Sequence, residues 1–94
     1  MSSGPVVRAW LIRGRVQGVG FRWHAVQKAR ELGLLGRVWN RRDGSVELHA
    51  SGPTASLESL ERWLAHGPEA ASVERVEVVP AGPAATEPGF KALL

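Results

Sequence analysis

Gly14-Arg15-Val16-Gln17-Gly18-Val19-Gly20-Phe21-Arg22 follows an apolar run, Val6 to Ile12, and precedes a segment with helical periodicity that begins near Phe21. Strand, glycine-rich turn and helix in direct succession make one strand–loop–helix unit. Three glycines in seven residues let the backbone turn sharply and take positive φ. With no Cβ at Gly18 or Gly20, loop N–H groups can converge on one point. The following helix adds its own unpaired N–H groups and the positive end of its dipole. That combination is a seat for a phosphate or carboxylate. Arg22 stands where its guanidinium can grip two oxygens of such an anion. A tight connection with glycines for steric reasons alone competes with this reading, because a lone glycine motif is weakly specific.

Outward from the loop, the pattern organises the whole chain. Val6 to Arg13 carries apolar residues on both alternating sets, as a central strand does. In the helix, Phe21, Ala25, Ala29 and Leu32 fall on one stripe, and Gly33 follows as its stop. Leu34 to Arg41 reads as a second strand ending near Asn40, and Asp43-Gly44 as a hairpin turn. The return strand, Ser45 to Ser51, alternates: Val46, Leu48 and Ala50 inward; Ser45, Glu47 and His49 outward. Gly52-Pro53-Thr54 then starts a second helix with Thr54 or Ser56 as N-cap. Leu57, Leu60 and Leu64 form its core stripe, with Trp63 beside them, and Gly67-Pro68 closes it. Val73 to Val79 is a fourth strand, Pro80 to Gly89 a loop without periodicity, and Phe90 to Leu94 a short terminal strand at a sheet edge.

The order is βαββαβ plus a short fifth strand. Two right-handed βαβ crossovers interlock so that both helices cover one face of an antiparallel sheet, the ferredoxin-like, split βαβ arrangement of the α+β class. Residues 1–5 are expected to be a flexible N-terminus and 6–94 a single domain.

At 94 residues, 44% hydrophobic and 22% charged, the chain has the composition of an ordinary globular domain. No apolar run reaches membrane-spanning length, and Met1-Ser2-Ser3-Gly4-Pro5 has no signal-peptide pattern. Without cysteine there is no disulfide and no thiolate metal ligand, so a cytoplasmic location is expected. The net charge of +3, with ten arginines among the twelve basic residues, draws in anions of any size.

The side chains available narrow the chemistry. His24, His49 and His66 have no partner at ligand spacing, so no metal site is expected. The glycine loop lacks the Gly-Lys-[Ser/Thr] of a nucleotide P-loop. An anion seat and one arginine are enough for an already activated substrate. An acyl phosphate is a mixed anhydride whose leaving carboxylate is a weak base, so no general acid is required. The barrier is mainly charge on the phosphoryl oxygens and the placing of a water.

Two signatures carry a family resemblance. Val16 to Arg22 forms the first without a gap. Gly33-Leu34-x-Gly36-x-Val38-x-Asn40 and Asp43-Gly44-Ser45-Val46-Glu47 form the second. Together, with Gly67-Pro68 beyond the second helix, they closely resemble the acylphosphatases over nearly the whole chain. The resemblance implies hydrolysis of the carboxyl–phosphate bond of small-molecule acyl phosphates by a metal-free, cofactor-free cytoplasmic enzyme, expected to be a monomer. Carried over by motif, Arg22 would bind the phosphate and stabilise its transition-state charge. Asn40 would orient the attacking water. The N–H groups of Gln17, Gly18, Val19, Gly20 and Phe21 would cradle the phosphoryl oxygens, and inorganic phosphate or sulfate would bind in their place. Phe90-Lys91-Ala92-Leu93-Leu94 is less β-branched and aromatic than such a last strand should be, and 80–89 is rich in alanine and proline.

A non-catalytic RNA-binding module shares this topology, but it reads bases with aromatics on its third strand. Here that strand is Ser45-Val46-Glu47-Leu48-His49-Ala50-Ser51, with no aromatic and one acid. No nucleic-acid or membrane partner is expected.

Overall fold

The computed structural model describes residues 6–85 and 87–93; the expected flexible segment 1–5 lies outside them. β1 (Val6–Arg15) runs two residues further than the expected strand, into the glycine loop. It pairs antiparallel on one side with β3 (Val46–Gly52) and on the other with β4 (Ser72–Val79). β3 in turn pairs antiparallel with β2 (Leu35–Asn40). The fifth strand, β5 (Phe90–Ala92), joins β2 in parallel. The sheet order is therefore β4-β1-β3-β2-β5, and the sheet is mixed rather than wholly antiparallel. The ferredoxin-like core is intact; the parallel edge follows from the chain reaching β2 from the far side of the sheet.

Two helices pack on this sheet, α1 (Phe21–Glu31) and α2 (Thr54–His66). Alternation decides which strand residues meet them. Trp10 and Ile12, Val38, and Val46, Leu48 and Ala50 are buried, together with Phe21, Ala25, Val26 and Ala29 of α1 and Leu57, Leu60 and Leu64 of α2. Each large side chain so covered contributes roughly 1.5–3 kcal/mol of hydrophobic stabilisation. α1 stops at Glu31. Gly33 N–H donates to Arg30 O and Leu34 N–H to Ala29 O, the paired bonds of a Schellman ending.

Two local expectations change, and a bulge appears beside the loop. The α2 N-cap is Pro53, not Thr54 or Ser56, and no side chain caps the helix. Pro53 already has the extended backbone a cap needs (ψ 143°), and its carbonyl accepts the Leu57 N–H at 3.1 Å. Ser45 is buried rather than turned outward. Asp43 Oδ1 accepts both its N–H (3.0 Å) and its hydroxyl (2.6 Å), folding the serine into the turn. A register shift between Arg13 and Gly14 breaks the β1–β4 ladder just before the loop, a bulge that re-aims the chain. Among the described residues no helix is long and apolar enough to cross a membrane.

Candidate active site

The glycine loop hangs between two buried anchors. Val16 just after β1 and Phe21 at the start of α1 are each 1% exposed, and Phe21 packs on Trp63 with ring centroids 5.6 Å apart. Gly18 (φ 75°) and Gly20 (φ 78°) take the left-handed conformation that closes the turn, which explains why glycine stands at both. Gly20 is also the N-cap of α1, with no side chain bonded over the helix end and no acidic residue in the first turn. Among the described residues, no backbone N–H from Gln17 to Phe21 donates to another protein group. Unpaired donors at a helix N-terminus are what an incoming anion requires.

Gln17 and Val19 face away from this opening. The Gln17 side-chain amide donates to Arg41 O at 2.7 Å and to Ser45 O at 2.9 Å, tying the loop to the β2–β3 hairpin. Val19 packs half-buried against the core. Their side chains therefore hold the loop, and neither residue lines the cleft described below.

The hairpin that receives Gln17 is itself fixed by charge. Ser45 donating to Asp43, with Arg41 and Arg13 nearby, holds the Asp43 carboxyl below its usual range. At Glu47 partial burial works against the ionised form. Hydrogen bonds from His49 (2.7 Å) and Arg41 (2.6 Å) outweigh it, and the carboxyl again titrates low.

Asn40 is the last residue of β2 and shares the helix-facing side of that strand with Val38. Its side-chain Oδ1 is buried and has no hydrogen-bond partner. Leaving an amide oxygen so costs ~1–3 kcal/mol, which a bound water or ligand would recover. Arg22, half-buried in the first turn of α1, donates from Nη1 to Leu93 O at 2.7 Å. Among the described residues this is the one hydrogen bond of the guanidinium, which carries five N–H donors in all.

These residues border one cleft of about 470 Å3, where Gly18, Gly20, Arg22 and Asn40 meet. The structure thus gathers Arg22, Asn40 and the loop glycines on one surface, with Phe21 at its edge. Among the described residues, no Asp or Glu side chain lines the cleft. Arg30 adds a second guanidinium, held by a 3.3 Å hydrogen bond from its Nε to Phe90 O. Trp23, Val26, Gln27 and Ala92 complete the wall. Sequence reasoning did not place Arg30 here. The signal was available: Arg22, Val26 and Arg30 recur every four residues along one side of α1. A separate hollow of about 290 Å3 lies between β2–β3 and residues 83–85 and 87–89 and contains none of the predicted site residues. Among the described residues, no group of three or more His, Cys, Asp or Glu is arranged to hold a metal ion.

Comparison with known proteins agrees with the two signatures. A family model described as Acylphosphatase matches residues 8–92. An acylphosphatase of Koribacter versatilis is 49% identical over 91 residues, which cover 97% of this chain and 83% of that protein. The crystal structure of acylphosphatase from Bacillus subtilis superposes with a TM-score of 0.87 at 32% identity, covering 94% of this chain and 98% of the other. An acylphosphatase structure from Coxiella burnetii gives the same TM-score at 35% identity, with 95% and 93% covered.

Proposed function

The chain belongs to the acylphosphatase family, and as one of these hydrolases of acyl phosphates we propose that it works through Arg22, Asn40 and the main chain of residues 17–21. The phosphoryl group of the substrate enters the glycine loop. Its oxygens accept hydrogen bonds from the N–H groups of Gln17, Gly18, Val19, Gly20 and Phe21, and the Arg22 guanidinium covers the remaining negative charge. These donors are fixed before the substrate arrives, so they lower the barrier without reorganising during the reaction. The Asn40 amide holds a water in line with the carboxyl–phosphate bond. The water oxygen bonds to phosphorus as the bond to the acyl oxygen breaks. The leaving carboxylate takes the electron pair, and the proton of the water passes to the phosphate and solvent. No step calls for a metal or a general acid, because the carboxylate is a good leaving group.

The observation that supports this reading best is the single cleft bordered by Gly18, Gly20, Arg22 and Asn40, with an unpartnered Asn40 oxygen beside it. One chain supplies every group in it, which favours a monomer, and a cysteine-free chain suits the cytoplasm. Inorganic phosphate or sulfate should occupy the same loop. The test is hydrolysis of chemically prepared benzoyl phosphate by the purified protein, followed with and without added inorganic phosphate. Turnover that phosphate inhibits competitively is expected. No turnover, or inhibition that is not competitive, would sink the assignment of this cleft.

A further inference from the structure

Phosphate binding and water orientation leave one part of the cleft unused. Trp23 borders it yet is 63% exposed, whereas Trp10 is fully covered and Trp39 and Trp63 are partly so. A wide apolar ring at the rim of a charged cleft is surface that water wets poorly and that a ligand can cover. The indole is not left loose. The His24 ring meets it edge-on, with centroids 5.0 Å apart and planes at 82°. His24 is fixed in turn by a hydrogen bond from Nδ1 to Gly20 O at 2.8 Å, the carbonyl of the residue that caps α1. The platform is therefore tied to the phosphate loop through one imidazole. Next to it, Val26 and Ala92 continue the apolar wall.

Resting on the assignment of the phosphoryl group to the glycine loop, we propose that Trp23, braced by His24, is the seat of the acyl group. It makes this enzyme select acyl phosphates with a flat, apolar acyl portion over those with a small aliphatic one. A substrate whose phosphoryl group lies in the loop must extend its acyl group across the cleft wall, and Trp23 is the aromatic surface there. A planar acyl group stacks on the indole or meets its edge; an acetyl group covers little of it. Trp23 is a specificity residue, and His24 a positioning residue acting through it.

The test compares kcat/KM for benzoyl phosphate and acetyl phosphate in the wild type, Trp23→Ala, Trp23→Phe and His24→Ala. Because the same two substrates are used throughout, their intrinsic reactivities cancel when each variant's ratio is divided by the wild-type ratio. Trp23→Ala is expected to lower the benzoyl-to-acetyl ratio about tenfold, carried mostly by KM, as for other lost aromatic contacts. Trp23→Phe should restore most of the ratio, and His24→Ala should lower it by less than Trp23→Ala does. A ratio within twofold of wild type in Trp23→Ala overturns the platform while leaving the phosphate site standing. A wild type that hydrolyses neither substrate instead overturns the phosphate-site reading beneath it.

Discussion

Replacing Arg22 by alanine separates a catalytic role from a structural one, because the two predict losses of different size. Structurally, among the described residues the half-buried side chain makes one hydrogen bond, Nη1 to Leu93 O at 2.7 Å. A bond of this kind contributes roughly 0.5–1.5 kcal/mol net. For a domain of this length that is a fall of about 4–8 °C in Tm per kcal/mol. Catalytically, the guanidinium would carry charge that grows on the phosphoryl oxygens. Losing one such preorganised donor costs ~2.7–4 kcal/mol, or about 10²–10³ in kcat. Arg22→Ala should therefore melt within roughly 10 °C of wild type while losing at least ~10²-fold in turnover. Arg22→Lys should recover part of the rate, since lysine keeps the charge but cannot offer a two-pronged grip. The assay pairs steady-state hydrolysis of benzoyl phosphate with a thermal melt of the same preparation. A kcat within tenfold of wild type would refute the role, as would a loss of activity matched by a collapsed melting curve.

Four further outcomes follow from particular contacts. Asn40→Ala should lower kcat by ~10–10²-fold while inorganic phosphate inhibits within about twofold of its wild-type strength, because a water-positioning group adds little to ground-state affinity; weaker phosphate inhibition at unchanged kcat would contradict it. Gly36→Ala should be destabilised by more than ~2 kcal/mol and melt roughly 10 °C lower. Its backbone φ is 146°, and the new Cβ would collide with His49 O on the paired strand, so a Tm near wild type would be inconsistent with the β2–β3 register. Acid should loosen the fold: the Glu47 carboxyl titrates below its ordinary range in the native protein, so between that value and the unfolded one the unfolded chain binds more protons. Its contribution is present above the usual carboxylate pKa and disappears as pH falls through the lower native one; Glu47→Gln should therefore flatten the decline of Tm below about pH 4, and an unchanged slope would show that the Arg41 and His49 contacts carry no linkage. Finally, EDTA should leave turnover intact, and activity lost to EDTA and restored by Mg2+ would overturn the metal-free mechanism.

How much could be read in advance depends on whether side chains or main chain carry the information. The order of elements, the core of α2 at Leu57, Leu60 and Leu64, and the alternation of Val46, Leu48 and Ala50 were legible because burial leaves a periodic trace in residue type. The family's two signatures were legible because glycines at 18 and 20 and an asparagine at 40 are unusual enough to recognise. Pro53 as N-cap was missed because a proline reads as a breaker, and its carbonyl, not its side chain, starts the helix. Ser45 was misplaced because strict alternation ignores a neighbouring carboxylate that captures a small hydroxyl. Arg30 was overlooked because an exposed arginine on a helix is usually only a solvated one; its cleft position depends on where β5 lies.

The fifth strand makes that limit physical. Phe90-Lys91-Ala92 has little β-branched or aromatic character beyond Phe90, and by side chains alone it is a weak strand. Phe90 is fully buried and anchors the segment, Ala92 adds a small apolar face to the cleft wall, and the contacts that hold the arginines come from carbonyls. Gly89 O accepts the Gly36 N–H at 3.1 Å, and Val38 O accepts the Leu93 N–H at 2.8 Å, so the main chain is zipped along β2. Thus held, Phe90 O and Leu93 O receive Arg30 and Arg22, bringing both guanidinium groups to the cleft from α1. Carbonyl groups are the same in every residue, so this tail can drift in sequence without losing its task, provided it keeps an apolar anchor and its length. The departure of residues 90–93 from the expected strand composition is therefore compatible with an intact site.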